Sequence, residues 1–172
     1  MSESVPSQLH RGLLLALGRD EAKSVFSSRQ DEQLATALAE ILAQTDSQCR
    51  ADLKGQWSTL HRIFTGGSID ADGGDLPLRQ CILGGRPMYQ GDEMSVILVR
   101  PDMVPHISEA LQELTLEELQ DRLKQAQSAT DDRSVQDAQI DVLTPIFESV
   151  RAVYELAASQ RQAVLFCVRH ID

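Results

Sequence analysis

The chain has 172 residues, of which 42% are hydrophobic and 4% are aromatic, and its formal net charge is -10. This length and composition predict one globular domain whose core is built mainly from aliphatic side chains. The acidic balance argues against nucleic acid as a partner, because phosphate binding needs clustered lysines and arginines.

The cysteines and apolar segments indicate the compartment. Cys49, Cys81 and Cys167 lack metal-ligand spacing and are too few for a disulfide framework, and Cys167 lies in an apolar run that predicts a buried position. No apolar run approaches the length that spans a bilayer, and the N-terminal GLLLAL is too short for a signal peptide. We therefore expect a cytoplasmic protein with no membrane partner, metal or cofactor.

The chain begins with a polar segment. Residues 1–9 include a proline and are predicted to form a loose tail. A single domain is then expected over residues 10–172. Its first element is the run at 10–17, whose continuous apolar centre is typical of a strand buried on both faces and which Gly18 ends.

Two predicted helices follow this strand. The first is short and covers residues 20–26. The second covers residues 31–44 and places its leucines and its isoleucine on one face. Residues 45–52 are polar and are predicted to be a connection.

A third helix is predicted over residues 53–65, where apolar side chains recur at helical spacing. Trp57 lies within this apolar stripe, which favours a core position. His61 lies at the border of the stripe. The pair Gly66 and Gly67 is predicted to end the helix.

The loop after this helix contains three aspartates, Asp70, Asp72 and Asp75. Spaced carboxylates on a glycine-rich loop can bind calcium, but this loop lacks the third ligand and the distant glutamate of an EF-hand. An Asp/Gly turn is the favoured interpretation.

A glycine-rich turn and the strongest strand of the sequence follow. Residues 83–89 contain a double glycine that permits close backbone approach, without the pattern of a P-loop or a dinucleotide-binding turn. Residues 93–99 read EMSVILV and predict a buried strand, which Pro101 prevents from continuing.

The C-terminal half is predicted to be mainly helical. Helices are expected over residues 101–114 and 115–127, the second starting with a Thr/Glu capping box. A linker-like loop at 128–137 leads to a long helix over 140–159. The chain closes with a strand over 162–169.

These elements predict an α+β domain with a small mixed sheet of about three to four strands and five to six helices. The long connections permit either parallel or antiparallel pairing, so the strand order stays open. Pro145 either starts the last helix or kinks it, since proline is harmless only at the first helical position.

Three stretches of the chain carry a family resemblance: QWSTLHRIFTGG, PLRQCILGGRPMYQGDEMSVILVRPDMV and VYELAASQRQAVLFCV. In this order they resemble the bacterial YfbM-like family over about residues 53–168. The resemblance implies a small cytosolic α+β domain. The family is a domain of unknown function, so the resemblance implies no activity.

Several residues that match the family pattern could form a small-ligand or hydrolytic pocket. His61 would be its general base, Arg86 would bind an anion, and Tyr89 or Asp92 would exchange a proton, with Trp57 beside them. The same residues could equally determine the fold. No G-x-S-x-G nucleophile motif and no pair of histidines at metal spacing accompanies them.

The charge distribution favours a different function. Residues 102–148 contain 11 acidic and 3 basic side chains. An acidic surface attracts basic partners and speeds their encounter. The predicted partner-binding residues are Asp102, Glu109, Glu113, Glu117, Glu118, Asp121, Asp131 and Asp132.

We therefore expect a non-enzymatic protein-binding domain, plausibly an immunity protein that neutralises a basic bacterial toxin or effector by direct binding and occlusion. The alternative is the ligand-binding or hydrolytic pocket around His61, Arg86 and Tyr89. Catalytic residues and a metal site are not predicted.

Overall fold

The computed structural model describes residues 7–91 and 93–170. Its sheet has the strand order β2-β1-β5-β4-β3, and every neighbouring pair is antiparallel. The strands are β1 (Leu13–Leu17), β2 (Arg50–Asp52), β3 (Arg86–Gln90), β4 (Met94–Val99) and β5 (Ala163–Arg169).

Helices surround this sheet. Within the described ranges, no helix is both long and apolar enough to cross a membrane. Short 3₁₀ turns lie at Ser47–Cys49 and Leu78–Gln80. The α-helices are α1 (Ser7–His10), α2 (Arg19–Phe26), α3 (Asp31–Gln44), α4 (Trp57–Thr65), α5 (Val104–Glu113), α6 (Leu116–Ser128), α7 (Arg133–Gln136) and α8 (Ile140–Gln160).

Both faces of the sheet are covered. On one face, Leu14 and Phe166 pack with α4, α5, α6 and α8. On the other face, Leu15 and Cys167 pack with α2 and α3. Because β1 and β5 are central and buried on both sides, their sequences are continuously apolar. Cys167 is fully buried, as predicted, and burial raises its pKa to about 12.

The predicted α+β domain is confirmed, but the predicted sheet was wrong in size and direction. Over the described residues it has five strands instead of three to four, and it is antiparallel instead of mixed. The predicted connection 45–52 contains β2, and the predicted turn 83–89 contains most of β3. Both are edge strands with polar residues, so neither shows an apolar run.

The helices also differ in detail from the prediction. The short helices α1 and α7 raise their number above the predicted five to six, and α7 lies within the predicted loop 128–137. Leu9 of α1 is fully buried, so this end of the predicted tail is packed. Pro145 lies inside α8, five residues after its start at Ile140, so it does not start the helix.

Candidate functional site

His61 is a fully buried residue of α4. Its Nε2 lies 2.9 Å from the carbonyl oxygen of Asp70. Because a carbonyl only accepts, Nε2 donates and Nδ1 carries the lone pair. That Nδ1 atom is buried without a hydrogen-bond partner in the described structure. Burial lowers the pKa of His61, which favours the neutral imidazole, and its hydrogen bond ties α4 to the loop.

Trp57 starts α4 and packs into the core. Its ring centroid lies 5.9 Å from that of Phe166. A Cβ atom at Gly12 would lie 2.9 Å from Cδ1 of the indole, so the absence of a side chain at Gly12 leaves space for the Trp57 ring. These contacts make Trp57 an anchor between α4 and the sheet.

Arg86 and Tyr89 lie on the edge strand β3. Arg86 is exposed, while Tyr89 is half-buried and its hydroxyl donates a 2.6 Å hydrogen bond to Oδ1 of Asp31 in α3. Asp92, the fifth predicted pocket residue, lies outside the described residues.

The sheet separates these candidate pocket residues. Tyr89 is paired with Val96 and packs on the face covered by α3. Trp57 and α4 pack on the opposite face, which includes Ile97. The structure therefore does not bring His61 and Trp57 together with Tyr89 in one pocket.

The predicted acidic residues fall into two groups. Five of them are exposed on the helix pair α5–α6 and form what we call the acidic face. The acidic face consists of Glu109, Glu113, Glu117, Glu118 and Asp121.

The other three acidic residues are exposed outside this helix pair. Asp102 precedes α5 and forms a 3.1 Å ion pair with Arg100. Asp131 and Asp132 precede α7. The carboxylate of Asp132 accepts hydrogen bonds from Ser134, which lower its pKa, so it serves as a helix cap.

Two adjoining depressions lie between the acidic face and residues 76–78. Together they form what we call the α5–α6 groove, and they share Ala110 and Glu113. One, of about 450 Å³, is lined by Leu78, Ala110, Glu113, Leu114, Glu118, Asp121 and Arg122. The other, of about 390 Å³, is lined by Leu76, Pro77, Met103, His106, Glu109, Ala110 and Glu113.

The carboxylates of the groove are largely unneutralised. Among the described residues, Glu109, Glu113 and Asp121 have no ion-pair partner within 4.0 Å. Glu118 accepts a 3.1 Å hydrogen bond from the backbone N–H of Thr115, which confirms the predicted capping box. Arg122 donates to the carbonyl oxygen of Ile63 at 3.3 Å.

Sequence reasoning missed the apolar side of this groove. Leu76 is 53% exposed and Pro77 lies beside it in the depression. The sequence contains a signal, since Leu76, Pro77 and Leu78 follow directly on a loop of aspartates and glycines. Consecutive apolar residues next to a polar loop are a weak signal of packing or binding.

The aspartate loop shows no metal-binding arrangement. In the described part of the chain, no group of three or more His, Cys, Asp or Glu side chains is placed to hold an ion. The backbone N–H of Gly73 donates to the carbonyl oxygen of Asp70 at 3.1 Å, which forms a turn. This hydrogen bond confirms the predicted turn.

Comparison with known proteins identifies a family and a fold. The model of DUF1877, a domain of unknown function, matches residues 11–167. The solved structure of YfbM from Escherichia coli, a protein of unknown function, matches with a TM-score of 0.61 and 17% sequence identity. The match covers 91% of this chain and 98% of that one. No curated protein matches significantly.

Proposed function

The chain belongs to the DUF1877 domain family, and within it we propose that this protein is a non-enzymatic binding domain that neutralises a basic toxin by occluding it. The observation that carries the proposal is the acidic face. Its five carboxylates are exposed on two consecutive helices, and four of them (Glu109, Glu113, Glu118 and Asp121) border a groove with an apolar side.

Electrostatics favours a cationic protein as the partner. Carboxylates on one face produce a negative potential that attracts basic surfaces and repels nucleic acids and anionic membranes. Affinity then comes from a few apolar anchors that exclude water at the centre of the interface. The acidic face supplies the negative potential, and Leu76 and Pro77 supply the apolar anchors.

Occlusion depends on the shape and rigidity of the binding surface. A stoichiometric inhibitor needs a rigid surface and no reacting groups. Both helices of the acidic face are anchored in the core, because Ile107 and Leu111 of α5 and Leu119 and Leu123 of α6 are buried. The surface is therefore preformed, which reduces the entropy lost on binding.

The direct test is neutralisation in cells. The chain is expressed together with the basic toxin-like product of a neighbouring gene, and growth is measured with that product alone and with both proteins. We expect growth to be restored in proportion to the amount of this chain. Unrestored growth at excess chain, or restoration at far less than equimolar amounts, contradicts occlusion.

A charge-reversed variant supplies the control. Glu117→Lys with Asp121→Lys is expected to weaken neutralisation, because both side chains belong to the acidic face. Glu40→Lys with Glu32→Lys changes the net charge equally, but on the exposed side of α3 across the sheet. This second pair is expected to leave neutralisation intact.

A further inference from the structure

The α5–α6 groove has an apolar side that is open to solvent. Leu76 is 53% exposed although it lies in a depression, and Pro77, Met103 and Ala110 line the same concavity. An apolar side chain in a concave site contacts an incoming group on several sides. Leu116, which is 50% exposed, does not line either depression.

The rim of the groove is acidic. Glu109 and Glu113 line the depression at Leu76, while Glu118 and Asp121 line the adjoining one. Among the described lining residues, Arg122 supplies the permanent positive charge, and its guanidinium is engaged with a backbone carbonyl. The excess of carboxylates selects a cationic occupant.

Two hydrogen bonds constrain the backbone next to Leu76. The hydroxyl of Tyr154 in α8 donates a 2.6 Å hydrogen bond to the carbonyl oxygen of Cys81, and both residues are fully buried. The backbone N–H of Arg79 donates to the carbonyl oxygen of Asp75 at 3.1 Å. The segment that carries Leu76 is thus tied to α8 at Cys81 and closed into a turn between Asp75 and Arg79, which reduces the ordering needed on binding.

We infer that the α5–α6 groove receives a linear segment of the basic partner, with an aliphatic side chain against Leu76 and lysine or arginine side chains at Glu109 and Glu113. The inference rests on the proposed function and names the part of the partner that is held. Depressions of about 450 and 390 Å³ accommodate a few side chains of a segment, while the rest of the partner lies over the acidic face.

Two fluorescent peptides test this inference on the full chain. One alternates lysine with leucine, and the other has serine in place of each leucine, so both carry the same charge. Affinities are measured by fluorescence anisotropy at equal salt. We expect the leucine peptide to bind about tenfold more tightly, which is the effect of burying part of an aliphatic side chain.

Two matched variants locate the site. Leu76→Ser removes a half-exposed leucine inside the groove, and Leu116→Ser removes a half-exposed leucine outside it. We expect Leu76→Ser to abolish the preference for the leucine peptide and Leu116→Ser to retain it. Glu113→Lys should weaken binding of both peptides more than Glu117→Lys, because Glu113 borders both depressions.

The outcomes separate the groove from the proposed function. Equal affinities for the two peptides, or equal effects of the two leucine variants, overturn the groove inference. A cellular neutralisation that still depends on the acidic face then leaves the proposed function standing. A leucine preference that Leu76→Ser abolishes, together with failed neutralisation, supports the groove and overturns the toxin proposal.

Discussion

The hydroxyl of Tyr89 donates a 2.6 Å hydrogen bond to Oδ1 of Asp31, although the two residues are 58 positions apart. This bond joins the edge strand β3 to the first turn of α3. Gly91 leaves room for it, because a Cβ atom there would lie 2.3 Å from Asp31 Oδ1 and 2.6 Å from the Tyr89 hydroxyl. The contact gives Tyr89 a structural role on the face of the sheet opposite His61.

We predict that Tyr89→Phe lowers the free energy of unfolding by about 1–2 kcal/mol, because a partly buried hydrogen bond to a carboxylate is lost. Urea denaturation measures this change. In a double-mutant cycle, Asp31→Ala should add little once the hydroxyl is gone. Fully additive effects of the two substitutions would show that the bond does not stabilise the fold.

Gly84 and Gly55 provide a second, sterically based prediction. A Cβ atom at Gly84 would lie 2.1 Å from the carbonyl oxygen of Arg79 and 2.8 Å from that of Ala71. A Cβ atom at Gly55 would meet nothing within 4 Å, although this residue has a φ of +78°. Gly84 is therefore required because a side chain would not fit, whereas Gly55 is required because its backbone is in a left-handed conformation.

Accordingly, Gly84→Ala should destabilise the protein by about 3 kcal/mol or more, because backbone atoms must move. Gly55→Ala should cost about 1–2 kcal/mol, the penalty of a left-handed conformation for a residue with a Cβ atom. Thermal unfolding followed by circular dichroism compares the two. An equal loss in both variants would contradict the close packing at Gly84.

The sequence allowed the core strands to be predicted, but not the sheet edges. β1, β4 and β5 have apolar runs because both of their faces are buried. At β2 and β3 the sequence contains Arg50 with Asp52 and Arg86 with Pro87, which are residues typical of a loop. These segments are strands because β1 and β4 offer them backbone partners, and a local pattern cannot report such pairing.

The described residues of the candidate pocket lie apart for a related reason. Residues Arg86 and Tyr89 are three positions apart, so a regular strand would place them on opposite faces. A register shift between Pro87 and Tyr89 places both on the face of Val96 and Leu98 instead. Because the sequence does not reveal this register shift, it could not show that the sheet lies between Tyr89 and His61. The acidic face was predictable, because it requires only charge and helical spacing.

His61 leads to a prediction about pH. Burial lowers its folded-state pKa below 6.5, so the unfolded chain binds the proton more readily than the folded chain. Stability therefore falls as pH decreases through 6.5 towards the lower folded-state value. Arg62 opposes protonation further, whereas the carbonyl and the carboxylate of Asp70 favour it.

The replacement His61→Gln tests this pH dependence, since an amide N–H can still donate to the Asp70 carbonyl and does not titrate. We expect the wild type to lose more stability between pH 7.5 and pH 5.5 than the variant loses. Denaturation at both pH values measures the difference, and NMR of the imidazole measures its pKa. Identical losses, or a pKa at or above 6.5, would contradict the buried neutral imidazole.

The acidic face leads to a kinetic prediction for the binding of the proposed basic toxin. Charge steering raises association rates more than it slows dissociation. At an ionic strength near the physiological value, salt screens charges that are more than about 8–10 Å apart. Glu117→Lys with Asp121→Lys should therefore lower the association rate about tenfold at low salt, with a much smaller change in the dissociation rate. Glu118 is left in place because it closes the capping box of α6.

Stopped-flow mixing with the toxin at low and at physiological salt gives the rates. The association rate of the wild type should fall as salt increases. That of the doubly reversed variant should fall much less, because its face then has three carboxylates and two lysines and therefore little net charge for salt to screen. Glu32→Lys with Glu40→Lys changes the net charge by the same amount on α3, and it should keep the salt dependence of the wild type. If both double variants slow association equally, net charge alone steers the partner, and the acidic face is not where it lands.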